Sequence, residues 1–443
     1  MSPLLDAAAD GRNSTLEAAI AEAHAGYAAM RPRSAQLHTE ALATLPGGNT
    51  RSNLFYRPFP TAMAGGEGCH VTDVDGRTYL DLCGEYTAGL FGHSCPGIQA
   101  ALHAAIDQGI GLAAVGENEA RFSRLVCARF PAIDQIRFTN SGTEANLLAL
   151  ALARNHTGRG GVLAFRGGYH GSLLTFVAGA AMNAPLPVTL ADYNDLAGTV
   201  ALLHEHRETI GAVIIEPMQG SGGCIPAQRD FLSGLRQVTS DLGMLLIFDE
   251  VMTSRHTAGG LQQLHGVLPD LTTLGKYLAG GMGIGAFGGK ASVMAAFDAT
   301  RGGALTHSGT FNNNVLSMAG GVAAMEMFDA AAADALFARG ESLRSGLNAI
   351  CARHSVALQF TGLGSMLQPH FRTGPIIRAV PASAREDGLR ELFFFDMLAS
   401  GVALARRGMA ALSLPVGDAH CQRFAAAVEE FCASRAALIQ DAA

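Results

Sequence analysis

Between about residue 97 and residue 330, short apolar runs alternate with segments of helical period. Strands are read at 135–139, 161–165, 212–215 and 244–248, and the last three runs are nearly continuous rather than alternating, which is the pattern of strands covered on both faces. Segments 144–154, 193–206 and 229–242 repeat apolar residues three and four positions apart and read as helices. Strand and helix in alternation predict an α/β fold with a mostly parallel, doubly wound sheet. Ahead of it, residues 14–45 are Ala-rich and helix-compatible up to the turn Pro46-Gly47-Gly48, and HVTDVDGRTYLDL (70–82) reads as a hairpin about Asp75-Gly76. Behind it come a long Ala-rich helix at 331–355, strand-like pieces at 358–360 and 410–414, and a final helix at 418–437. This tail predicts a small α+β domain. The expected division is therefore an N-terminal segment 1–96, a large domain 97–345 and a C-terminal small domain 346–443.

Composition narrows the function. The chain has 443 residues with a formal charge of −7, so no basic excess exists to grip a phosphate backbone, and a nucleic-acid partner is not expected. Charged residues are only 16% of the total, and with 54 glycines this points to extensively buried backbone and a large subunit interface. The eight cysteines form no C-x-x-C pair and no cluster of zinc-ligand spacing, so no metal site is expected. They look like buried thiols of a reducing compartment. The opening MSPLLDAAADGRNSTLEAAI lacks a basic region before an apolar core, and no stretch of ~18 apolar residues follows anywhere, so neither a leader nor a membrane span is expected and the cytoplasm is the default.

One count changes the picture. Of the 31 basic residues only two, Lys276 and Lys290, are lysines. Arginine stays charged and cannot form an imine, whereas a lysine amine can lose its proton and attack a carbonyl. In a chain that otherwise uses arginine, a surviving lysine is a candidate for chemistry.

Five local patterns carry that chemistry. Asn140-Ser141-Gly142-Thr143-Glu144-Ala145 follows an apolar strand and opens a helix, with Ser141 and Glu144 in capping-box spacing. Such a strand–turn–helix offers free N–H groups to an anion, although alone it is also an ordinary capped helix. Gly167-Gly168-Tyr169-His170-Gly171 places an aromatic ring among glycines after another strand, suited to stacking on a planar group. Asp249 ends the run LLIFDEV, where a carboxylate is costly to bury unpaired and where α/β sheets bind ligands. Lys276 lies 27 residues further on, before AGGMGIGAFGG, which reads as a glycine-rich loop letting the backbone pass close to a ligand; Lys290 at its far end looks like a surface residue. Last is the polar segment His307-Ser-Gly-Thr310-Phe311-Asn-Asn-Asn314. Together these supply what pyridoxal 5′-phosphate (PLP) requires: an imine lysine, an aspartate for the ring nitrogen, an aromatic stack and a phosphate nest.

With those residues in place, the chain resembles class III PLP-dependent aminotransferases of fold type I over nearly its whole length from about residue 40. The resemblance implies a large domain with a mostly parallel seven-stranded sheet, a small domain to which the N-terminal segment contributes, and a homodimer whose active sites lie at the subunit interface. It assigns Lys276 to the internal aldimine, Asp249 to the ring nitrogen, and Ser141, Gly142 and Thr143 to the phosphate. Tyr169 matches the stacking aromatic, Val251 the residue on the other ring face, and Thr310 the threonine reaching the phosphate from the neighbouring subunit.

Two branches of the family compete. Glutamate-1-semialdehyde 2,1-aminomutases share NSGTEA and the G-x-GAFGG stretch, but their substrate arginine falls where this chain has Leu54. The segments GGNTRS, GEYTAG, DEVMTSR, DLTTLGKY, HSGTFNNN and RG-x4-LSLP are similar instead to aromatic β-amino acid aminotransferases of the β-phenylalanine type. From that branch Arg51 is implied to bind the substrate carboxylate, Tyr86 to line the pocket, and Arg407, with Arg406 as the adjacent alternative, to serve the distal carboxylate of an acceptor such as 2-oxoglutarate. Where ornithine- and GABA-type members carry a gate glutamate, this chain has Ser221, so an arginine is expected to stand free of it. Residues 109–125 depart from the β-phenylalanine pattern.

Overall fold

A computed structural model describes residues 15–177 and 182–440; residues 1–14, which open the segment read above for a leader, lie outside the described residues. The central sheet has seven strands: β1 (Gln135–Thr139), β2 (Gly161–Phe165), β3 (Val188–Ala191), β4 (Ile210–Ile215), β5 (Leu245–Asp249), β6 (Leu271–Gly275) and β7 (Gly285–Gly289). Their spatial order is β1-β7-β6-β5-β4-β2-β3. The pairs from β6 to β3 are parallel, and β7 runs antiparallel to both β6 and β1.

The continuous apolar runs are explained by two cores, one on each face of the sheet. Leu163, Phe165, Val213, Ile215, Leu246 and Phe248 enter one, and Val162, Ala164, Ala212, Ile214, Leu245 and Ile247 enter the other. Successive side chains point to opposite faces, so a strand with both faces covered has no polar positions to alternate with. On the second face lies the helix Gly142–Thr157, with Ala145, Ala149, Leu152 and Ala153 buried against the sheet. Asp249 belongs to that same face, two residues beyond Ile247.

One element corrects the expectation. The stretch read as a glycine-rich loop contains β7, a fully buried strand of sequence GAFGG. Its glycines serve close packing. A Cβ on Gly285 would meet the Ser141 carbonyl oxygen at 2.0 Å, and one on Gly289 the Asp270 carbonyl oxygen at 2.1 Å. The strand-like piece at 410–414 is also shorter than expected, with only Ala410–Ala411 in a sheet.

The hairpin about Asp75-Gly76 forms, pairing His70–Asp73 with Thr78–Asp81. Its turn holds the N-terminal helices: the Asp75 carboxylate accepts from the Arg33 and Ser34 N–H groups at 2.7 and 3.1 Å, at the start of helix Pro32–Ala41. Strand Thr78–Asp81 pairs in parallel with Val402–Ala403, so the N-terminal and C-terminal parts of the chain share one sheet. A second small sheet joins Gln359–Leu363, Met366–His370 and Ala410–Ala411. The division expected after residue 345 falls inside the helix Ala330–Arg353. Among the described residues no single helix is long and apolar enough to cross a membrane.

Candidate active site

The carboxyl ends of β1, β2, β5 and β6 lie along one edge of the sheet, and each is followed directly by a residue singled out above. In a doubly wound sheet this edge is where ligands bind. Asp249 is the last residue of β5 and pairs in register with Thr273 of β6; Lys276, three residues after Thr273, immediately follows the end of β6.

Asp249 is 3% exposed, and three donors surround it. Oδ2 accepts from Asn146 Nδ2 at 2.7 Å and from His170 Nδ1 at 2.8 Å, and Oδ1 accepts from the Val251 N–H at 3.0 Å. Thr273 Oγ1 in turn donates to Asn146 Oδ1 at 2.6 Å, which fixes the amide so that its NH2 faces the carboxylate. Burying a lone carboxylate costs on the order of several kcal/mol, and this shell offsets that cost. His170 is itself fully buried, which disfavours its charge, but the hydrogen bond to Asp249 and the charges of Asp249 and Glu216 outweigh burial and raise its pKa.

Lys276 has φ +55°, a left-handed conformation that non-glycine residues rarely adopt without a compensating environment. Its Nζ donates to the Tyr86 carbonyl oxygen at 2.9 Å. Burial lowers the amine's pKa to about 8; Asp249 opposes this, and Arg51 reinforces it. A deeply buried amine that is partly neutral near pH 8 is chemically competent to attack a carbonyl. The other lysine, Lys290, donates to Asp270 at 2.5 Å while Arg236 holds the second oxygen at 2.8 Å, and so belongs to a structural ion cluster at the opposite end of β6.

At the end of β1, Ser141 caps the helix Gly142–Thr157 by accepting from the Glu144 N–H at 3.2 Å. The capping box expected here is only half formed. The Glu144 carboxylate accepts from the Asn140 N–H at 2.8 Å rather than from Ser141. Among the described residues the N–H groups of Ser141, Gly142 and Thr143 find no acceptor in the protein, as the first turn of a helix leaves them. Val251 packs directly on this turn, since a Cβ on Gly142 would come within 2.9 Å of Val251 Cγ2. Gly171, at φ +117°, lies against Thr143 in the same way, at 2.2 Å from Oγ1.

Tyr169 stands half-exposed at the end of β2, and its N–H donates to Glu216 Oε2 at 2.8 Å. Glu216 follows β4, also accepts from the Gly220 N–H at 3.1 Å, and is pushed up to about 7 by burial. Burial raises the pKa of the Tyr169 phenol, and the charges of Arg51 and Arg407 oppose that rise.

The outer residues are held more loosely. The Tyr86 hydroxyl donates to the Asn53 carbonyl at 3.1 Å, and Arg51 lies 5.2 Å from the Tyr86 ring centroid. The Arg51 guanidinium donates to the Glu85 carboxylate. Arg407 donates to the Ser221 carbonyl at 2.8 Å and has no carboxylate partner among the described residues. Arg406 turns elsewhere, to Glu391 at 3.5 Å. The arginine free of an acidic partner is therefore Arg407, while Arg51 is paired. Thr310 is exposed and makes no hydrogen bond among the described residues, although its neighbour Asn312 accepts from Asn140 Nδ2 at 3.0 Å and so ties the 307–314 segment to the β1 turn.

Sequence reasoning missed Asn146 and gave His170 no role. Asn146 is a buried polar residue on the apolar face of its helix, and that mismatch was the available signal. It also missed a thiol cluster away from the motifs. Cys69 Sγ lies 3.7 Å from His70 Nδ1 and 3.6 Å from His420 Nε2. The Gly417 N–H donates to His420 Nδ1 at 2.9 Å, which leaves the ring proton on Nε2, facing the sulfur. The sulfur and the ring nitrogens of His70 and His420 lie within 4.8 Å of one another.

The comparison with known proteins agrees with this geometry. The sequence profile of aminotransferase class-III matches residues 53–394. The chain belongs to the class III aminotransferases, a family of PLP-dependent transaminases of fold type I. Among individual proteins it is 46% identical over 429 residues to the β-phenylalanine transaminase of Variovorax paradoxus, covering 96% of this chain and 99% of that one. A crystal structure of a β-phenylalanine aminotransferase from Variovorax paradoxus matches with a TM-score of 0.94 over 96% of this chain and 99% of that one. The ω-transaminase of Sphaerobacter thermophilus, 35% identical, matches with a TM-score of 0.86, covering 93% of this chain and 98% of that one. The glutamate-1-semialdehyde 2,1-aminomutase of Heliobacterium modesticaldum is 36% identical over 396 residues, covering 85% of this chain and 90% of that one.

Proposed function

We propose that this transaminase moves the amino group of an aromatic β-amino acid, of the β-phenylalanine kind, to a 2-oxo acid such as 2-oxoglutarate. One observation carries the reading. Arg51 lies 5.2 Å from the ring centroid of Tyr86, the residue whose carbonyl oxygen accepts from Lys276 Nζ at 2.9 Å, so a single residue links the guanidinium that would hold a carboxylate to the reacting nitrogen. The 46% identity to a β-phenylalanine transaminase over nearly the whole chain supports it.

The residues present fit PLP. The open N–H groups of Ser141, Gly142 and Thr143 suit a phosphate, Tyr169 and Val251 suit the two faces of a flat ring, and buried Asp249 suits a protonated ring nitrogen. Lys276 is the residue that carries the cofactor on Nζ. When bound, PLP supplies an electron sink for the pair left behind when a proton leaves the substrate carbon. Asp249 would hold the ring-nitrogen proton, and His170 and Asn146 keep that carboxylate aimed. The Lys276 amine, whose pKa burial lowers to about 8, would serve as the general base that takes the proton from the substrate carbon. For a β-amino acid, Arg51 fixes the carboxylate two carbons from the nitrogen. Arg407 receives the second carboxylate of the acceptor. Thr310, exposed beside the exposed Phe311, would serve the phosphate of a second copy's site, and this exposure supports a homodimer as the functional unit.

A half-reaction screen tests the reading. Aromatic β-amino acids, α-amino acids, ω-amines and glutamate 1-semialdehyde are offered to the holoenzyme while the cofactor absorbance is followed. Fastest bleaching by 3-amino-3-phenylpropanoate, with amino transfer to added 2-oxoglutarate, is the expected result. Isomerisation of the semialdehyde without any acceptor would instead place the chain with the aminomutases.

A further inference from the structure

The arginine assigned to the substrate carboxylate already holds a carboxylate of the protein. Arg51 Nη1 donates to Glu85 Oε1, and the guanidinium lies 5.2 Å from the ring centroid of Tyr86, the next residue. Glu85 does not reach this position by chance rotation of a flexible loop. Gly84, Glu85, Tyr86 and Thr87 have φ of +52°, +47°, +54° and +81°, so three successive non-glycine residues occupy the left-handed region. Such backbone persists only where its surroundings over-determine it.

The surroundings here are specific. Asp81 Oδ1 accepts from the N–H groups of Cys83 and Gly84 at 2.8 and 3.1 Å. Arg255, fully buried, donates to the Thr87 carbonyl at 3.2 Å, and Lys276 donates to the Tyr86 carbonyl at 2.9 Å. A Cβ on Gly84 would approach the Ala411 carbonyl oxygen at 3.1 Å, so the start of the turn is pressed against the C-terminal part of the chain. The strained turn thus delivers one carboxylate to one guanidinium at the mouth of the site.

That arrangement creates a competition. Arg407 has no carboxylate partner among the described residues, and a mouth with two unpaired cations would attract any anion. Glu85 cancels one of the two charges. An incoming carboxylate takes the place of Glu85 on Arg51, and an amine without a carboxylate leaves the pair closed, presenting a neutral wall beside its apolar group. We infer that Glu85 is a specificity-determining gate: it occupies Arg51 until a substrate carboxylate displaces it, and so sets the preference between carboxylate-bearing and carboxylate-free amino donors. The inference rests on the assignment of Arg51 to the substrate carboxylate.

The test compares two donors with the same ring, 3-amino-3-phenylpropanoate and 1-phenylethylamine, in the half-reaction of the holoenzyme. Glu85→Gln removes the competing charge and keeps the shape. The half-saturating concentration of the β-amino acid is expected to fall about two- to fivefold, the range an exposed ion pair supplies, and that of the amine to rise by a similar factor. The limiting rate with the β-amino acid stays unchanged, because only ground-state binding is altered. If Glu85 merely steadied Arg51, the β-amino acid would bind more weakly in Glu85→Gln; that result, or no change, overturns the gate.

Glu85→Asn is the second variant, since asparagine tolerates the left-handed turn and is too short to hold Arg51. Wild-type holoenzyme crystallised with 3-phenylpropanoate gives a readout independent of both variants: an Arg51–Glu85 contact that persists beside a bound carboxylate overturns the proposal. Arg51→Gln separates the two levels. An unchanged half-saturation for the β-amino acid in that variant overturns the substrate assignment and the gate with it. A large rise there, with no fall in Glu85→Gln, overturns the gate alone.

Discussion

The two halves of the site are built differently. At the sheet edge, Asp249 has three donors, Asn146 is fixed by Thr273, and Lys276 is buried beneath the Tyr86 carbonyl. At the mouth, Arg51, Glu85, Tyr86 and Arg407 are each held by one or two contacts, several to backbone carbonyls. A group whose charge must persist during proton transfer needs its partners fixed in advance, because reorganising buried dipoles during the reaction raises the barrier. A group that exchanges partners at every turnover needs the opposite. The contrast teaches that the chemistry is set by the depth of the sheet edge and the substrate by the surface around it.

Four changes would sharpen or break that contrast, in order of expected effect. Lys276→Ala is expected to abolish both turnover and the borohydride-sensitive yellow colour of the holoenzyme; retained transamination would remove the basis of the assignment. Asp249→Asn keeps the shape and removes the charge, and is expected to cut kcat by about 10²–10³-fold while the protein remains folded by circular dichroism. At the mouth, Arg407→Gln is expected to raise the KM for 2-oxoglutarate about 10- to 100-fold, as loss of a charged hydrogen bond does. The donor half-reaction, which uses one carboxylate, stays close to wild type. An equal loss in both half-reactions would show that Arg407 belongs with the inner group.

The smallest effect is a shift in pH. Only the neutral amine attacks an aldehyde, and burial lowers the Lys276 pKa from 10.5 to about 8. The neutral fraction therefore grows as pH rises through about 8. The rate of PLP loading onto apoenzyme, followed by absorbance, is expected to have its midpoint there and not near 10.5.

The inner half was the more legible in the sequence, for a physical reason. Continuous apolar runs mark strands with both faces covered, and Asp249 stands out as a charge at the carboxyl end of one; Lys276 stands out as one of only two lysines, although its strand β6, LTTLG, was missed because two threonines interrupt the apolar run. The strand β7 was not legible. Strand signals come from β-branched and aromatic side chains, and GAFGG has surrendered its side chains to let neighbouring carbonyls approach. The short edge strand β3 was missed because its first three residues are only partly buried. Asn146 was hidden inside a good helix former's context, where a polar residue is commonly assumed to face water. The Arg51–Glu85 pair spans 34 residues, and nothing local to either position announces it. Contacts of that kind depend on how a strained turn is seated, which pattern reading does not reach.

The left-handed turn from Gly84 to Thr87 has a practical consequence for anyone reshaping this catalyst. Its Glu85 and Tyr86 side chains lie beside Arg51 at the entrance, while the Tyr86 carbonyl accepts from the reactive amine. Selectivity and turnover thereby meet in one short turn. Replacements that disturb its backbone will also disturb where the lysine waits between cycles, whereas side-chain exchanges that keep the turn, such as Glu85→Gln, and changes around Arg407 leave that resting place untouched.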